Sequence, residues 1–248
     1  MDDSDVRAVD VEGMVPFRVE WSLITPMVAP TQPMHLDALL AWASVDQANG
    51  DIAAQEALPL ARMTPVDAPE RWVWKASRLR GDIVHRYQMP MFRAFEPWHW
   101  GEDFGRIYTS SKTTMTGGSG PYKSYKFLIE MIVVPRVMAW GVGDIDAVDQ
   151  LLQRVRHLGR LRRLDCGRVG HCCVREDAVA LEGWKERVLP VPEAGYYEVA
   201  QGIRPPYWDR HGHTRAYLPA GPLFPGLGET AAASGEQLMP RGCPDGRS

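Results

Sequence analysis

Residues 143–175 read GDIDAVDQLLQRVRHLGRLRRLDCGRVGHCCVR, and the order of elements within them limits the folds open to the chain. An apolar stripe at helical spacing runs up to Leu158 and predicts an amphipathic helix. Asp144 is a good N-cap, and Gly159 is expected as the C′ residue after the last turn. A loop rich in glycine and arginine then leads into Val169–Arg175, which has the character of a short strand. The predicted order is helix, glycine loop, strand.

That order argues against two kinds of site. A dinucleotide-binding turn needs its glycines between a strand and a following helix, which is the reverse arrangement. Zinc sites usually pair their ligands as C-x₂₋₄-C, whereas the cysteines here follow a C-x₅-C-C pattern, Cys166, Cys172 and Cys173, with no second pair. We expect small buried cysteines, no metal and no cofactor. The chain also has no G-x-S-x-G elbow, so a nucleophilic hydrolase is not favoured.

The remaining elements are predicted by working outward from this stretch. Val15–Ile24 alternates apolar and polar residues as a half-buried strand does, and His35–Gly50 has the period of a helix. Arg71–Arg80 is expected to be a second strand with a partly basic face. Phe127–Val142 is apolar on both faces and predicts a central strand, in which Pro135 marks a bulge or the exit from the ladder.

Together these elements predict an α+β protein with the ferredoxin-like (RRM-like) βαββαβ plan. Its core would cover residues 1–81 and 125–227, and the second sheet face would be free for recognition. A long insertion over 82–124, between strands 2 and 3, would form an arm. The glycine loop would precede strand 4, an irregular C-terminal extension would follow with an extended segment near Thr214–Leu218, and 228–248 would be a flexible tail.

The net charge of −3 hides a strong asymmetry. Residues 1–70 hold twelve Asp or Glu against three Arg, whereas 71–175 hold eighteen Lys or Arg against nine acids. A basic middle segment indicates a polyanion partner, an acidic protein partner, or simply a solvated face. No apolar run approaches the ~18 residues of a membrane span. The acidic N-terminus is unlike a secretory signal, and four cysteines do not form a disulfide framework, so we expect a cytoplasmic protein.

Two segments have the composition of RNA-binding loops. In the glycine loop, backbone amides and guanidinium groups can meet phosphates, and the candidates are Arg160, Arg162, Arg163, Gly167, Arg168, Gly170 and His171. In the insertion, lysines alternate with rings that could stack on bases, at Lys112, Tyr122, Lys123, Tyr125 and Lys126; a merely solvated loop is the alternative. His35 could act as an acid or base near a phosphate, or could cap or pack.

The sequence also resembles a known family. LITPMVAPTQPMHLDALLAWA, Leu23–Ala43, is similar to the first strand, loop and helix of RAMP-superfamily CRISPR proteins, especially the type IV subunit that holds the 5′ handle of the guide. The helix opening His35–Ala43 is the more specific half. LGRLRRLDCGRVG resembles the family's glycine-rich loop, but Asp165-Cys166 stand where glycine plus an aromatic is expected. Asp165 should therefore point away from phosphate or pair with a neighbouring Arg.

This resemblance implies a non-catalytic backbone subunit that grips the crRNA 5′ handle. It would cap a filament of repeating backbone subunits and abut the large subunit, near where target DNA is first opened. The thumb-like arm of related subunits maps onto Arg93–Lys126, and His35 and Arg93 join the expected RNA contacts. Two alternatives remain: a metal-independent endoribonuclease that processes CRISPR repeat RNA through His35, Tyr122 and Lys123 or Lys126, and a scaffold that touches only proteins.

Overall fold

The computed structural model describes residues 6–8, 13–93, 125–222 and 224–227. It is a mixed α/β protein with mainly antiparallel sheets and few helices. The strands are β1 Val6–Ala8, β2 Val15–Leu23, β3 Met27–Val28, β4 Arg62–Pro65, β5 Val73–Trp74, β6 Arg80–Gly81, β7 His85–Arg93, β8 Tyr125–Val133, β9 Arg136–Gly143, β10 Val169–Glu176, β11 Tyr196–Gly202 and β12 His213–Pro219. The helices are α1 Leu36–Gln47, α2 Ile145–Leu152 and the short α3 Ala180–Gly183.

A four-stranded antiparallel sheet in the order β10-β2-β9-β6 forms the centre of the larger unit. The predicted first strand is confirmed as β2, whose Phe17, Val19 and Trp21 are fully buried. These side chains alternate along the strand, so they share one face. On that face they pack in one cluster with Leu40 of α1 and Val148 of α2, which places the main core between the sheet and the two helices.

Helix α2 is shorter than its sequence pattern predicts. Its N-cap is confirmed, because the Asp144 carboxylate accepts hydrogen bonds from the backbone N–H of residues 146 and 147 at 3.1 and 3.0 Å. The helix ends at Leu152 instead of continuing to Leu158. The chain turns away there, and the Leu158 N–H bonds to the Gly167 carbonyl at 2.8 Å. Leu158 still reaches the core, so its apolar character reflects burial and not helix.

Two predicted strands are each divided in the structure. The expected central strand over 127–142 becomes β8 and β9, separated at Val134-Pro135, so Pro135 marks an exit from the ladder. The expected strand over 71–80 becomes β5 and β6. The prediction of a basic face on this strand was wrong, since Arg78 and Arg80 are 2% exposed and both pair with Glu186, at 3.0 and 2.8 Å.

The second face of the sheet was expected to be free, but it is partly covered. Met138 and Trp140 of β9 point to that face and are buried against Ala180 of α3 and against Leu227. A second core cluster lies under the β11–β12 hairpin and includes Trp184. The sequence prediction found part of β12 but missed β11, α3, and β4, which joins β1 and β5 in a small sheet.

Residues Arg86–Met131 form a compact unit of their own. Within it β7 and β8 are hydrogen-bonded neighbours, and Arg86 pairs with Glu130 at 2.7 Å. Most of the predicted arm, residues 94–124, lies outside the described residues, as does the predicted tail over 228–248.

Candidate nucleic-acid interface

The loop between α2 and β10 has an unusual backbone. Four residues of the segment 159–167 have positive φ, namely Gly159 at 82°, Leu161 at 57°, Asp165 at 59° and Gly167 at 68°. A left-handed conformation costs a non-glycine residue about 1 kcal/mol, so Leu161 and Asp165 hold strain that the surroundings must offset. A Cβ on Gly167 would lie 2.0 Å from the Leu158 carbonyl oxygen, so only glycine fits there.

The segment between β2 and β3 clamps this loop. The Thr25 hydroxyl donates to the Asp165 carbonyl at 2.6 Å and accepts from the Arg168 N–H at 2.8 Å. The Gly167 N–H donates to the Pro26 carbonyl at 2.8 Å. Residues 165–168 of the loop are therefore held in place by the segment that follows β2.

Asp165 pairs with a neighbouring arginine, which is one of the two arrangements expected from the sequence. Its carboxylate lies 3.2 Å from Nη1 of Arg168 and 3.1 Å from Nε2 of His157. Both contacts are partly exposed, and His157 and Arg168 lie on the two sides of Asp165 within the connection between α2 and β10. The carboxylate thus offsets part of the local positive charge and joins the two ends of the loop.

Three further arginines project from the loop into solvent. The guanidinium groups of Arg160 and Arg163 have no hydrogen-bond or ion-pair partner among the described residues. Arg162 lies over the indole of Trp42, 5.1 Å from the ring centroid, and its Nε donates to the Gly159 carbonyl at 3.3 Å. Trp42, on α1, is 41% exposed and was not singled out from the sequence, although the helical period places it off the core stripe.

The structure brings together one of the predicted groups of RNA-binding residues. Arg160, Arg162, Arg163, Gly167 and Arg168 share the loop, and they are followed on β10 by Gly170 and His171, both exposed. Lys112, Tyr122 and Lys123 lie outside the described residues. Arg93 is the last residue of β7, and Tyr125 and Lys126 are the first two residues of β8, but the side chains of all three lie outside the described part of the structure.

His35 lies in the interior, apart from the loop. Its side chain is 1% exposed and stacks on Tyr207, with ring centroids 4.7 Å apart. Burial lowers the pKa of His35 well below its usual value, and the positive charges of Arg187 and Arg78 lower it further. The imidazole is therefore neutral near pH 7.

A buried ion pair beside His35 was missed from the sequence. Asp37 and Arg187 are both fully buried, 3.1 Å apart, and the Tyr207 hydroxyl donates to the Asp37 carboxylate at 2.9 Å. Burial raises the pKa of Asp37, against the opposing effects of Arg187 and Tyr207. Asp37 follows the N-cap of α1 and looks like an ordinary first-turn acid, and its partners come from distant parts of the chain, so no local signal identifies the pair.

The cysteines do not form a metal site in the described residues, where no group of three or more potential ligands occurs. Cys166 is buried, and Cys172 and Cys173 are half-buried thiols on β10. Burial, with smaller effects from Asp149 and Cys173, raises the pKa of Cys172 to about 12. A thiol held in its protonated form is a poor metal ligand.

These features define a mixed α/β protein, built mainly from antiparallel strands, that displays a rigid basic loop hinged by glycine. The family described as CRISPR type IV associated protein Csf3 matches residues 15–219, a range that includes the central sheet, α1, α2 and the loop. Because this match covers most of the 248 residues, the chain belongs to that family and has a role in type IV CRISPR systems. No curated protein matches the chain. None of the helices in the described ranges is both long and apolar enough to cross a membrane.

Proposed function

We propose that this chain is a crRNA-binding backbone subunit of a type IV CRISPR ribonucleoprotein and carries out no chemistry of its own. It grips the 5′ handle of the guide, caps the filament of repeating backbone subunits and abuts the large subunit, in the cytoplasm. From that position it lies close to the target DNA. The observation that carries the proposal is the loop over 159–168, which displays the exposed guanidinium groups of Arg160 and Arg163 without a partner among the described residues.

The chemistry of the loop suits RNA phosphates. Guanidinium groups bind phosphate oxygens through paired hydrogen bonds, and a backbone with glycine at its hinges lets phosphate approach closely. Arg160 and Arg163 are available for such contacts, because no described acidic group neutralises them. The clamp by Thr25 reduces the conformational entropy that the loop would lose on binding.

The topology supports placing the chain in the RAMP superfamily, with a ferredoxin-like core. Along the chain, and apart from the strands of the smaller sheets, the order is strand, helix, strand, strand, helix, strand, formed by β2, α1, β6, β9, α2 and β10. In space the first strand lies between the last and the third, in the order β10-β2-β9-β6. That is the strand order of a ferredoxin-like sheet, and the arm leaves it between β6 and β9.

The position of His35 supports a non-catalytic subunit over an endoribonuclease. A general acid or base must lie within hydrogen-bond reach of the proton that it transfers. His35 is 1% exposed and stacked on Tyr207, so RNA cannot reach its ring in this conformation. We therefore expect labelled repeat RNA to stay intact when it is incubated with the protein in chelator.

The test of RNA binding is an Arg163→Ala variant with a labelled 5′-handle RNA. We expect weaker binding, and a plot of log affinity against log salt that is flatter by about 0.7, the contribution of one single-strand phosphate contact. Fluorescence anisotropy over a series of salt concentrations gives both quantities.

Arg175→Ala is the matched control. Arg175 is also an exposed arginine, but it sits at the far end of β10 and pairs with Glu20 at 3.2 Å. Its loss should leave the salt slope unchanged. Equal slopes for wild type and Arg163→Ala would mean that Arg163 does not contact phosphate, which contradicts the role proposed for it.

A further inference from the structure

Trp208 is 82% exposed, more than any other large apolar side chain in the described residues. It lies in the segment 203–212 that joins β11 to β12. Burying an indole contributes much more to the free energy of folding or binding than burying a smaller side chain does. An almost fully exposed tryptophan therefore needs an explanation. This segment belongs neither to the glycine loop nor to the arm.

The chain on the N-terminal side of Trp208 is anchored in the core. Tyr207 donates to Asp37 and accepts a hydrogen bond from Arg187 Nη2 at 2.7 Å. The same guanidinium nitrogen donates to the Ile203 carbonyl at 2.7 Å. The buried ion pair of Asp37 and Arg187 therefore fixes the segment immediately before Trp208.

The chain on the C-terminal side is fixed as well. Asp209 caps the short 3₁₀ turn Arg210–Gly212, and its carboxylate accepts from the His211 N–H at 2.9 Å. Trp208 thus stands between two anchored neighbours. A side chain presented from a backbone ordered in advance binds with a smaller loss of entropy.

The surroundings of Trp208 are polar. Arg210, His211 and His213 are all exposed, and the Asp209 carboxylate already contacts the His211 ring at 3.1 Å. Within 204–215, all of which the structure describes, Trp208 is the one large apolar side chain that is exposed. Trp and Arg are also common in protein–protein interfaces, but the buried centre of such an interface is mainly apolar, and Trp208 alone would supply that centre within 204–215. An exposed aromatic ring beside an arginine and imidazole groups suits single-stranded nucleic acid, because a base can stack on the ring while guanidinium and ring N–H groups donate to phosphate oxygens.

We propose that Trp208, with Arg210, His211 and His213, forms a second nucleic-acid site that binds a single strand by stacking one base on the indole. The site does not depend on the role proposed for the glycine loop. Its chemistry accepts RNA and DNA alike, since both offer an unpaired base and a phosphate.

The test measures binding of fluorescein-labelled 12-nucleotide oligo(U) and oligo(dT) to wild type, Trp208→Ala, Trp208→Leu and Trp208→Phe. Stacking predicts at least about a fivefold loss of affinity for the Ala and Leu variants, and near-normal binding for Phe, which keeps a π face. The loss should persist at high salt, because stacking is not screened as phosphate contacts are. The two oligonucleotides show which strand the site prefers.

Tyr197→Ala is the control, since Tyr197 is also exposed, at 48%, but lies at the other end of the same hairpin. Its affinity should equal that of wild type. The site is disproved if Trp208→Ala binds both oligonucleotides as wild type does. A variant that binds them normally and loses only its association with partner proteins would disprove it in the same way. It is also disproved if Leu restores binding as well as Phe, because apolar contact would then suffice.

Discussion

At the level of single side chains, Asp165 determines how much positive charge the loop presents. It stands where the resemblance leads one to expect glycine plus an aromatic, and the sequence could say only that it should avoid phosphate or pair. The structure places its carboxylate between Arg168 and His157. Its left-handed backbone, φ 59°, is one that Asp and Asn tolerate better than most residues.

We therefore predict that Asp165→Asn binds the handle RNA more tightly. Asparagine keeps the backbone conformation, and one unit charge ~7 Å from a phosphate in water is worth about 0.6 kcal/mol, or roughly threefold in affinity. Anisotropy titrations at low and high salt measure this gain, which should shrink as salt rises. Asp177→Asn, which removes the partner of Arg18 away from the loop, is the control. A fall in affinity would show instead that Asp165 holds Arg168 in a phosphate contact.

His35 gives a second prediction, on pH. Its pKa is lowered by burial first, then by Arg187 and Arg78, so near its usual value of about 6.5 the unfolded chain takes up a proton that the folded protein refuses. The stability that depends on neutral His35 is complete above about pH 6.5 and is lost as the pH falls toward the lower folded pKa.

The unfolding midpoint of wild type should therefore fall more steeply than that of His35→Gln between about pH 7 and 5. Asp37 is present in both proteins, so its own titration largely cancels in the difference. Thermal melts at half-unit pH steps measure both curves. Parallel curves would mean that His35 does not remain neutral in the folded protein.

At the level of elements, the apolar pattern predicted where strands and helices occur better than it predicted where they end. The strand at 15–24 and the start of α2 were predicted well, because alternation and the Asp144 cap are local signals. The end of α2 was not, because Leu158 is apolar whether it is reached by a helix or by an extended turn. The turn is fixed by the bond from Leu158 to Gly167 and by the clamp at Thr25, which join residues distant in sequence.

The close approach of Leu158 makes Gly167 the most restrictive glycine of the loop. We predict that Gly167→Ala lowers stability by well over the ~1 kcal/mol of a left-handed alanine, since its Cβ also meets the Leu158 carbonyl. Handle binding should weaken with it. Gly195→Ala is a matched control, with a similar φ of +80° and nothing within 4 Å of the added Cβ. Chemical denaturation compares the two, and equal losses would show that the loop can relax around the methyl group.

At the level of the whole molecule, the sequence predicted the main layers but not what covers them. The buried arginines Arg78 and Arg80 looked like a basic face, yet they bond to Glu186 and to carbonyl groups of Pro222 and Gly226. Such long-range partners leave no periodic signal. The same holds for the Asp37–Arg187 pair that supports the Trp208 segment. The glycine loop was found because its composition is local, and its rigidity was not, because the clamp is remote.

The most direct test of the account is photo-crosslinking of the chain to a crRNA that carries 4-thiouridine in its 5′ handle, with the linked peptides mapped by mass spectrometry. If the loop holds the handle, crosslinks fall on peptides covering 159–171 and on the α1 peptide that carries Trp42, and they are reduced in Arg163→Ala. Crosslinks that occur elsewhere on the chain, with none at the loop, would contradict the account.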